Sequence, residues 1–183
     1  MSERDKMLRG EQYDASDPEL VTVAFEARRL TARLRALDPA DTEGRKSLLG
    51  ALLGSIGLDS WIEAPFFCDY GAQIHLGARV FVNLACVFLD AAPIKLGDDV
   101  QLGPGVQLLT SDHPRDARER AARRESARPI SIGAGAWLGG GVIVLPGLDI
   151  GPDAVIGAGS VVTRSIAAGV VAAGNPCRVI SAP

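Results

Sequence analysis

The sequence predicts a mainly β protein, a parallel β-helix with a helical cap before it and one long loop thrown out of it. Three observations carry this expectation. From Leu76 onward an aliphatic residue recurs every six positions, often with glycine after it. Before about residue 55 the apolar residues follow the period of an amphipathic helix instead. Between Leu108 and Ile130 the sixfold rhythm stops, glycine vanishes, and arginines crowd around His113, one of only two histidines.

The cap comes first, over residues 1–55. Asp17 offers a side-chain acceptor at a helix start, and Pro18 takes the first helical position, where its missing N–H costs nothing. Leu20, Val23, Ala24, Ala27, Leu30, Leu34 and Leu37 then follow at three- and four-residue steps, and Asp38-Pro39 ends the helix. A second helix is expected from about Asp41 to Leu53, with Leu48, Leu49, Leu52 and Leu53 on its apolar side. Arg28, Arg29, Arg33 and Arg35 read as a solvated helix face.

The repeats occupy residues 56–183. In units such as LGARVF, LGDDVQ, IGAGAW and IGAGSV the first position is Leu76, Val82, Phe88, Leu96, Leu102, Leu108, Ile132, Leu138, Val144, Ile150, Ile156 or Val162. A period of six is neither helix nor plain strand; it requires a short strand followed by a sharp corner. Three units close one triangular coil, so about 18 residues advance the chain by one strand spacing of about 4.8 Å. The first residue of each unit points inward, and the glycine after it leaves room that a side chain would obstruct. Stacked coils bury a continuous aliphatic column too narrow for a substrate, so activity must lie on outer faces, in loops or between copies. Two extra residues at Ile94-Lys95 read as a bulge, and Ile56, Ile62, Cys68 and Ile74 extend the sixfold spacing backward. The loop, about residues 111–129, leaves the phase intact, because Leu108 and Ile132 stand 24 positions apart, a multiple of six.

Composition narrows the function. A net charge of −3 and a pI near 5.4 argue against nucleic acid or anionic membrane as partners. No apolar run approaches the roughly 20 residues of a spanning helix. The charged opening MSERDKMLRGEQYD lacks the apolar segment of a signal peptide, which points to the cytoplasm. Cys68, Cys86 and Cys177 are scattered, with no CxxC pairing, and read as small buried hydrophobes.

Candidate chemistry centres on His113, at a rigid loop base before Pro114, where a general base near neutral pH could act. Glu125 returns with the loop; it either orients the imidazole or pairs with Arg120, Arg123 or Arg124. His75 lies inside a strand-like unit and reads as structural or surface. Two histidines cannot build a three-histidine zinc site within one chain, so no metal is expected. There is neither a P-loop nor a GxSxG elbow.

The elements WIEAPFFCDYG, VFVNLACVFLD, LGPGVQLLTSDHP, RPISIGAGAWLGGGVIVLPGLDIG and VIGAGSVVTRSI…AAGNPCRVI resemble the maltose, galactoside and nodulation-type sugar O-acetyltransferases of the hexapeptide-repeat class. DKMLRGEQYDASDPEL resembles their helical cap. That resemblance implies a left-handed coil and a homotrimer whose sites lie between neighbouring subunits. It implies His113 as catalytic base, with Asn83 and Asp69 in the acceptor pocket and Asp90 matching a further acceptor-site aspartate. Trp137 matches a tryptophan beside the pantetheine arm of acetyl-CoA; Gly140, Ala158, Thr163 and Arg164 match cofactor-contacting positions, and Arg178 a basic residue near the nucleotide. His113 and Asn83 are then expected on faces of different chains. Two departures bear on the acceptor. Ala91 stands where galactoside enzymes carry a second aspartate, and their N-terminal acceptor aspartate aligns near Asp14 or Ala15.

The expected reaction is direct acetyl transfer from acetyl-CoA to a sugar hydroxyl, with His113 taking the hydroxyl proton. Two alternatives stay open: acetyl transfer to another acceptor, such as an antibiotic or an amine, and a non-catalytic scaffold.

Overall fold

The computed structural model describes residues 1–181. Three helices precede the coils: α1 (Glu3–Leu8), α2 (Pro18–Ala36) and α3 (Thr42–Leu52). Each starts on a side-chain cap. Ser2 and Asp5 form a reciprocal capping box on α1, Asp17 accepts from the N–H of Glu19, and Asp41 accepts from that of Gly44. The second and third helices fall where the apolar spacing places them; α1 has too few residues to show a period. Leu34 of α2 and Leu48, Leu49 and Leu52 of α3 are buried in the same core as the first coils. Arg45 of α3 is 5% exposed, its guanidinium 4.4 Å from the ring of Trp61 and its Nη1 donating to the carbonyl of Ile62 at 2.8 Å. This pins the cap to the first coil.

From Ser55 the chain winds as a parallel β-helix with three faces, each holding strands of successive coils in register. The first face carries Ser55–Ile56, Ile74–Leu76, Ile94–Leu96, Ile130–Ile132 and Asp149–Ile150. The second begins with Trp61–Ile62, Phe81–Val82, Gln101–Leu102 and Trp137–Leu138; the third holds Phe67–Cys68, Val87–Leu89, Gln107–Leu109, Ile143–Val144 and Val161–Val162. All twelve aliphatic or aromatic residues that open the sixfold units, from Leu76 to Val162, are buried. Burial of one such side chain contributes about 1.5–3 kcal/mol. The glycine after them is needed for coil stacking: a Cβ on Gly97 would come within 2.6 Å of the Ala134 nitrogen in the next coil.

Strand pairing corrects the expected bulge. Ile94–Leu96 pairs without interruption on both sides, to Ile74–Leu76 and to Ile130–Ile132. The two extra residues sit instead in the corner before it, between Leu89 and Ile94. The coil below does the same: Ile56 stacks on Leu76, not on Ile74, so residues 69–73 form an equally long corner. The first two coils therefore advance 20 positions, Ser55 to His75 to Lys95. The third advances 36, Lys95 to Ser131, and the next returns to 18, Ser131 to Asp149. Every added residue enters at one edge of the prism, where the third face turns into the first.

The insertion is itself structured. Ser111–Asp112 and Arg124–Ala127 form an antiparallel pair, with the short helix α4 (Ala117–Ala121) between them. Tyr13–Asp14 of the cap adds a third strand to this pair, so the cap reaches across and holds the insertion.

Candidate active site at the long-cornered edge

The edge is held by polar side chains placed one coil apart. Asp90 is fully buried; its Oδ1 accepts the N–H groups of Asp69 and Tyr70 at 3.0 and 2.8 Å, and its Oδ2 accepts that of Gln73 at 3.3 Å. Thr110, also fully buried, repeats the device one coil higher. Its Oγ1 donates to the Leu89 carbonyl at 2.6 Å and accepts the Ala92 N–H at 3.0 Å. Long corners leave backbone groups without ladder partners, and Asp90 and Thr110 satisfy several of them from the coil above. Asp90 presents no surface to a ligand. Its hydrogen bonds in this chain go to the Asp69–Gln73 corner, which carries Asp69 into the inner cleft.

The neck of the insertion is closed by Asp112, whose Oδ1 accepts the backbone N–H of His113 at 2.9 Å and whose Oδ2 lies 3.4 Å from Arg128. His113 is exposed and stands where two clefts meet. The inner cleft, about 300 Å³, runs between cap and coil past Phe25, Arg28, Asp69, Tyr70 and Leu89. The outer cleft, about 330 Å³, lies under the insertion and is lined by Ser16, Arg120 and Arg123. Ala15, His113 and Glu125 belong to both.

Glu125 takes neither of its expected partners. Its Oε2 accepts the hydroxyl of the fully buried Tyr13 at 3.0 Å, across the strand pair that joins cap and insertion. Among the described residues no arginine ion-pairs with it. Asp14, beside Tyr13, turns inward on its own loop, accepting the N–H and hydroxyl of Ser16, and lies outside both cleft linings. Asp69 does line the inner cleft. Burial, reinforced by the charges of Asp90 and Glu125, pushes its carboxyl up to about 6, while Arg28 opposes the shift. Burial, and next Asp90, likewise raises the Cys68 thiol, which leaves it a protonated hydrophobe.

Three cleft residues escaped the sequence reading. Tyr13 and Tyr70 sit in irregular segments with no periodicity to mark them. Arg28 read as solvated helix surface, yet its guanidinium lies 5.6 Å from the Phe25 ring and lines the inner cleft beside Asp69.

The remaining site residues lie elsewhere on the prism. Asn83, Gly140 and Ala158 stand at the opposite end of the third face, where the second face turns into it. There Asn83 accepts the Leu84 N–H through Oδ1 at 2.8 Å. Gly105, Gly141 and Gly159 line the same edge at positive φ, and a Cβ on any of them would meet nothing within 4 Å. Beyond Asn83 and the exposed Leu84, this edge consists mainly of glycines with Pro104 and Ala158. Trp137 projects beside it, 53% exposed, over Val155. Thr163 and Arg164 follow Val161–Val162 at the His113 edge, two coils beyond the insertion, and Arg178 begins the last strand. Within one chain, then, the structure does not bring Asn83, Gly140 or Ala158 to His113. Among the described residues no group of His, Cys, Asp and Glu is disposed to hold a metal ion.

Comparison with known proteins matches this geometry to a class. Residues 129–164 match the family model for bacterial transferase hexapeptide repeats, and residues 6–57 that for the maltose acetyltransferase hexapeptide capping motif. Nodulation protein L of Rhizobium leguminosarum bv. viciae is 47% identical over 178 residues, covering 97% of this chain and 94% of that one. A crystal structure of a maltose O-acetyltransferase from Clostridium difficile 630 superposes with a TM-score of 0.97 at 45% identity, covering 99% and 97% of the two chains. A galactoside acetyltransferase in complex with coenzyme A superposes with a TM-score of 0.94 at 33% identity, covering 98% and 90%. The fold is that of a hexapeptide-repeat acyltransferase. More narrowly, the chain belongs to the acetyltransferase family that carries the maltose acetyltransferase cap.

Proposed function

We propose that the protein transfers acetyl from acetyl-CoA to a hydroxyl of a sugar, with His113 as general base. The observation that carries this reading is the position of His113, exposed at the junction of two clefts on an otherwise solid column. A sugar hydroxyl has a pKa far above neutrality, so its attack on a thioester needs a base, a contribution of about 10²–10⁴-fold. In the inner cleft Asp69 and Arg28 offer hydrogen-bonding groups, and Phe25 and Tyr70 flat surfaces, a lining suited to a pyranose ring. Acetyl-CoA is the co-substrate. The glycine-rich edge of Gly140, Gly141, Ala158 and Gly159 suits an extended pantetheine arm, and the exposed Trp137 ring flanks it.

The two half-sites lie at different edges, so a second copy must complete each. The outer faces favour such packing. The third face presents Phe67, Val87, Gln107, Ile143 and Val161 outward, whereas the first presents Ser55, His75, Lys95, Ser131 and Asp149. A closed homotrimer would bring the His113 edge of one subunit to the Asn83 edge of the next, so that Asn83 lines the acceptor pocket. Thr163, Arg164 and Arg178 then serve the coenzyme.

The test is thiol release from acetyl-CoA across glucosides, galactosides, maltose, chito-oligosaccharides and chloramphenicol. Turnover with sugars supports the reading. Turnover with chloramphenicol alone would overturn the sugar assignment, and release with none would overturn the enzymatic one.

A further inference from the structure

The outer cleft carries charge that a neutral sugar does not require. Residues 115–128 hold six arginines against three acids, in a chain whose net charge is −3. Arg124 and Arg128 are spoken for, by Glu3 at 3.7 Å and Asp112 at 3.4 Å. Arg115, Arg118, Arg120 and Arg123 form no ion pair within 4 Å among the described residues, although the charge of Arg123 helps to lower the Asp14 carboxyl. Two of these four, Arg120 and Arg123, line the cleft that His113 and Glu125 also line.

Their settings suit a ligand better than solvent. Arg120 is tied to the loop base by its Nη1, which donates to the carbonyls of Pro114 and Arg115 at 2.9 and 3.1 Å; its other guanidinium nitrogens have no partner among the described residues. Arg123 follows the C-terminus of α4 with φ +57°, a conformation in which glycine would be unstrained. A side chain there is held against backbone strain, and that side chain reaches the cleft.

We propose that the outer cleft is a subsite for an anionic group, carboxylate or phosphate, borne by the acceptor itself. A guanidinium fork takes such a group bidentately. The inner cleft then holds the sugar ring with its reacting hydroxyl toward His113, and the charged substituent points outward to Arg120 and Arg123. This rests on the acetyl-transfer reading above. The phosphates of coenzyme A offer the same chemistry. The outer cleft, however, is continuous with the acceptor side through Ala15, His113 and Glu125, whereas Trp137 and Gly140 stand at the other edge.

The experiment compares thiol release with methyl glucoside and methyl galactoside against glucuronic acid, glucose 1-phosphate and glucose 6-phosphate, in the native protein, R123Q and R120Q/R123Q. We expect at least one anionic acceptor to exceed its neutral counterpart about tenfold in kcat/KM, mostly through KM, the weight of one charge-assisted contact. In the double variant that ratio should fall toward one. Equal use of neutral and anionic acceptors by the native protein would overturn the proposal, as would a preference that survives in both variants. A rise confined to the KM for acetyl-CoA would also overturn it, assigning the arginines to coenzyme A. Absence of thiol release with every acceptor would overturn the underlying transfer reading instead.

Discussion

Tyr13 and Glu125, 112 positions apart in sequence, meet through a 3.0 Å hydrogen bond and also face each other in strand register. Cap and insertion are thereby one unit, and the wall of the proposed acceptor site is built from both. Tyr13→Phe keeps the buried ring and removes only the bond. It should cost about 1 kcal/mol in denaturant unfolding, and amide exchange over residues 124–127 should accelerate. Unchanged exchange there would show that backbone pairing alone holds the insertion.

His113→Ala should lower kcat by about 10²–10⁴ with the melting temperature unchanged, since the side chain is exposed and its ring makes no hydrogen bond among the described residues. Retention of most turnover would remove His113 from the reaction.

Asp69 should make stability depend on pH in a definite direction. Its folded carboxyl titrates near 6, above the usual carboxylate range, so between about pH 4 and 6 the folded state keeps a proton that the unfolded chain has released. Stability from this group is therefore greatest at low pH and is lost as pH rises through about 6. Asp69→Asn should gain on the native protein between pH 4 and 7, by up to about 3 kcal/mol. A difference in unfolding free energy that stays constant across that range would contradict the assignment.

Asp90→Ala would strand the N–H groups of Asp69, Tyr70 and Gln73, each costing about 1–3 kcal/mol if left without a partner. Asp90→Asn keeps one acceptor oxygen and should lose less. If Asp90 positions the corner and does not touch substrate, Asp90→Asn should raise acceptor KM while kcat holds and thermal stability falls. Full stability with collapsed kcat would restore a direct role.

The column was legible because its requirement is local and repeated: Leu76, Leu96 and Leu102 each meet the same steric demand, so the spacing announces itself. His113 was legible by rarity and by its place at the end of a regular run. The long corners were not. Their extra residues disturb the period by only two, and Ile74, six positions after Cys68, mimics its continuation although Leu76 is the residue that stacks on Ile56. Glu125 could not be assigned either, because its partner lies in the cap, and nothing in a linear sequence measures that distance. Arg28 has the spacing of its helix's solvent side. What makes it a cleft residue is the coil surface that happens to lie opposite.

The insertion leaves after Leu109 and re-enters at Ile130, whose strand pairs with Ile94–Leu96 as an uninterrupted coil would. Selection on the column and selection on the loop are thereby uncoupled. Residues such as Arg120 and Arg123 can drift without a penalty to the stack, while a change at Leu108 is felt through several coils. If the proposed acceptor site holds, its preference can diverge at constant column stability, and a loop transplanted between relatives should carry specificity only together with the cap segment that pairs with it.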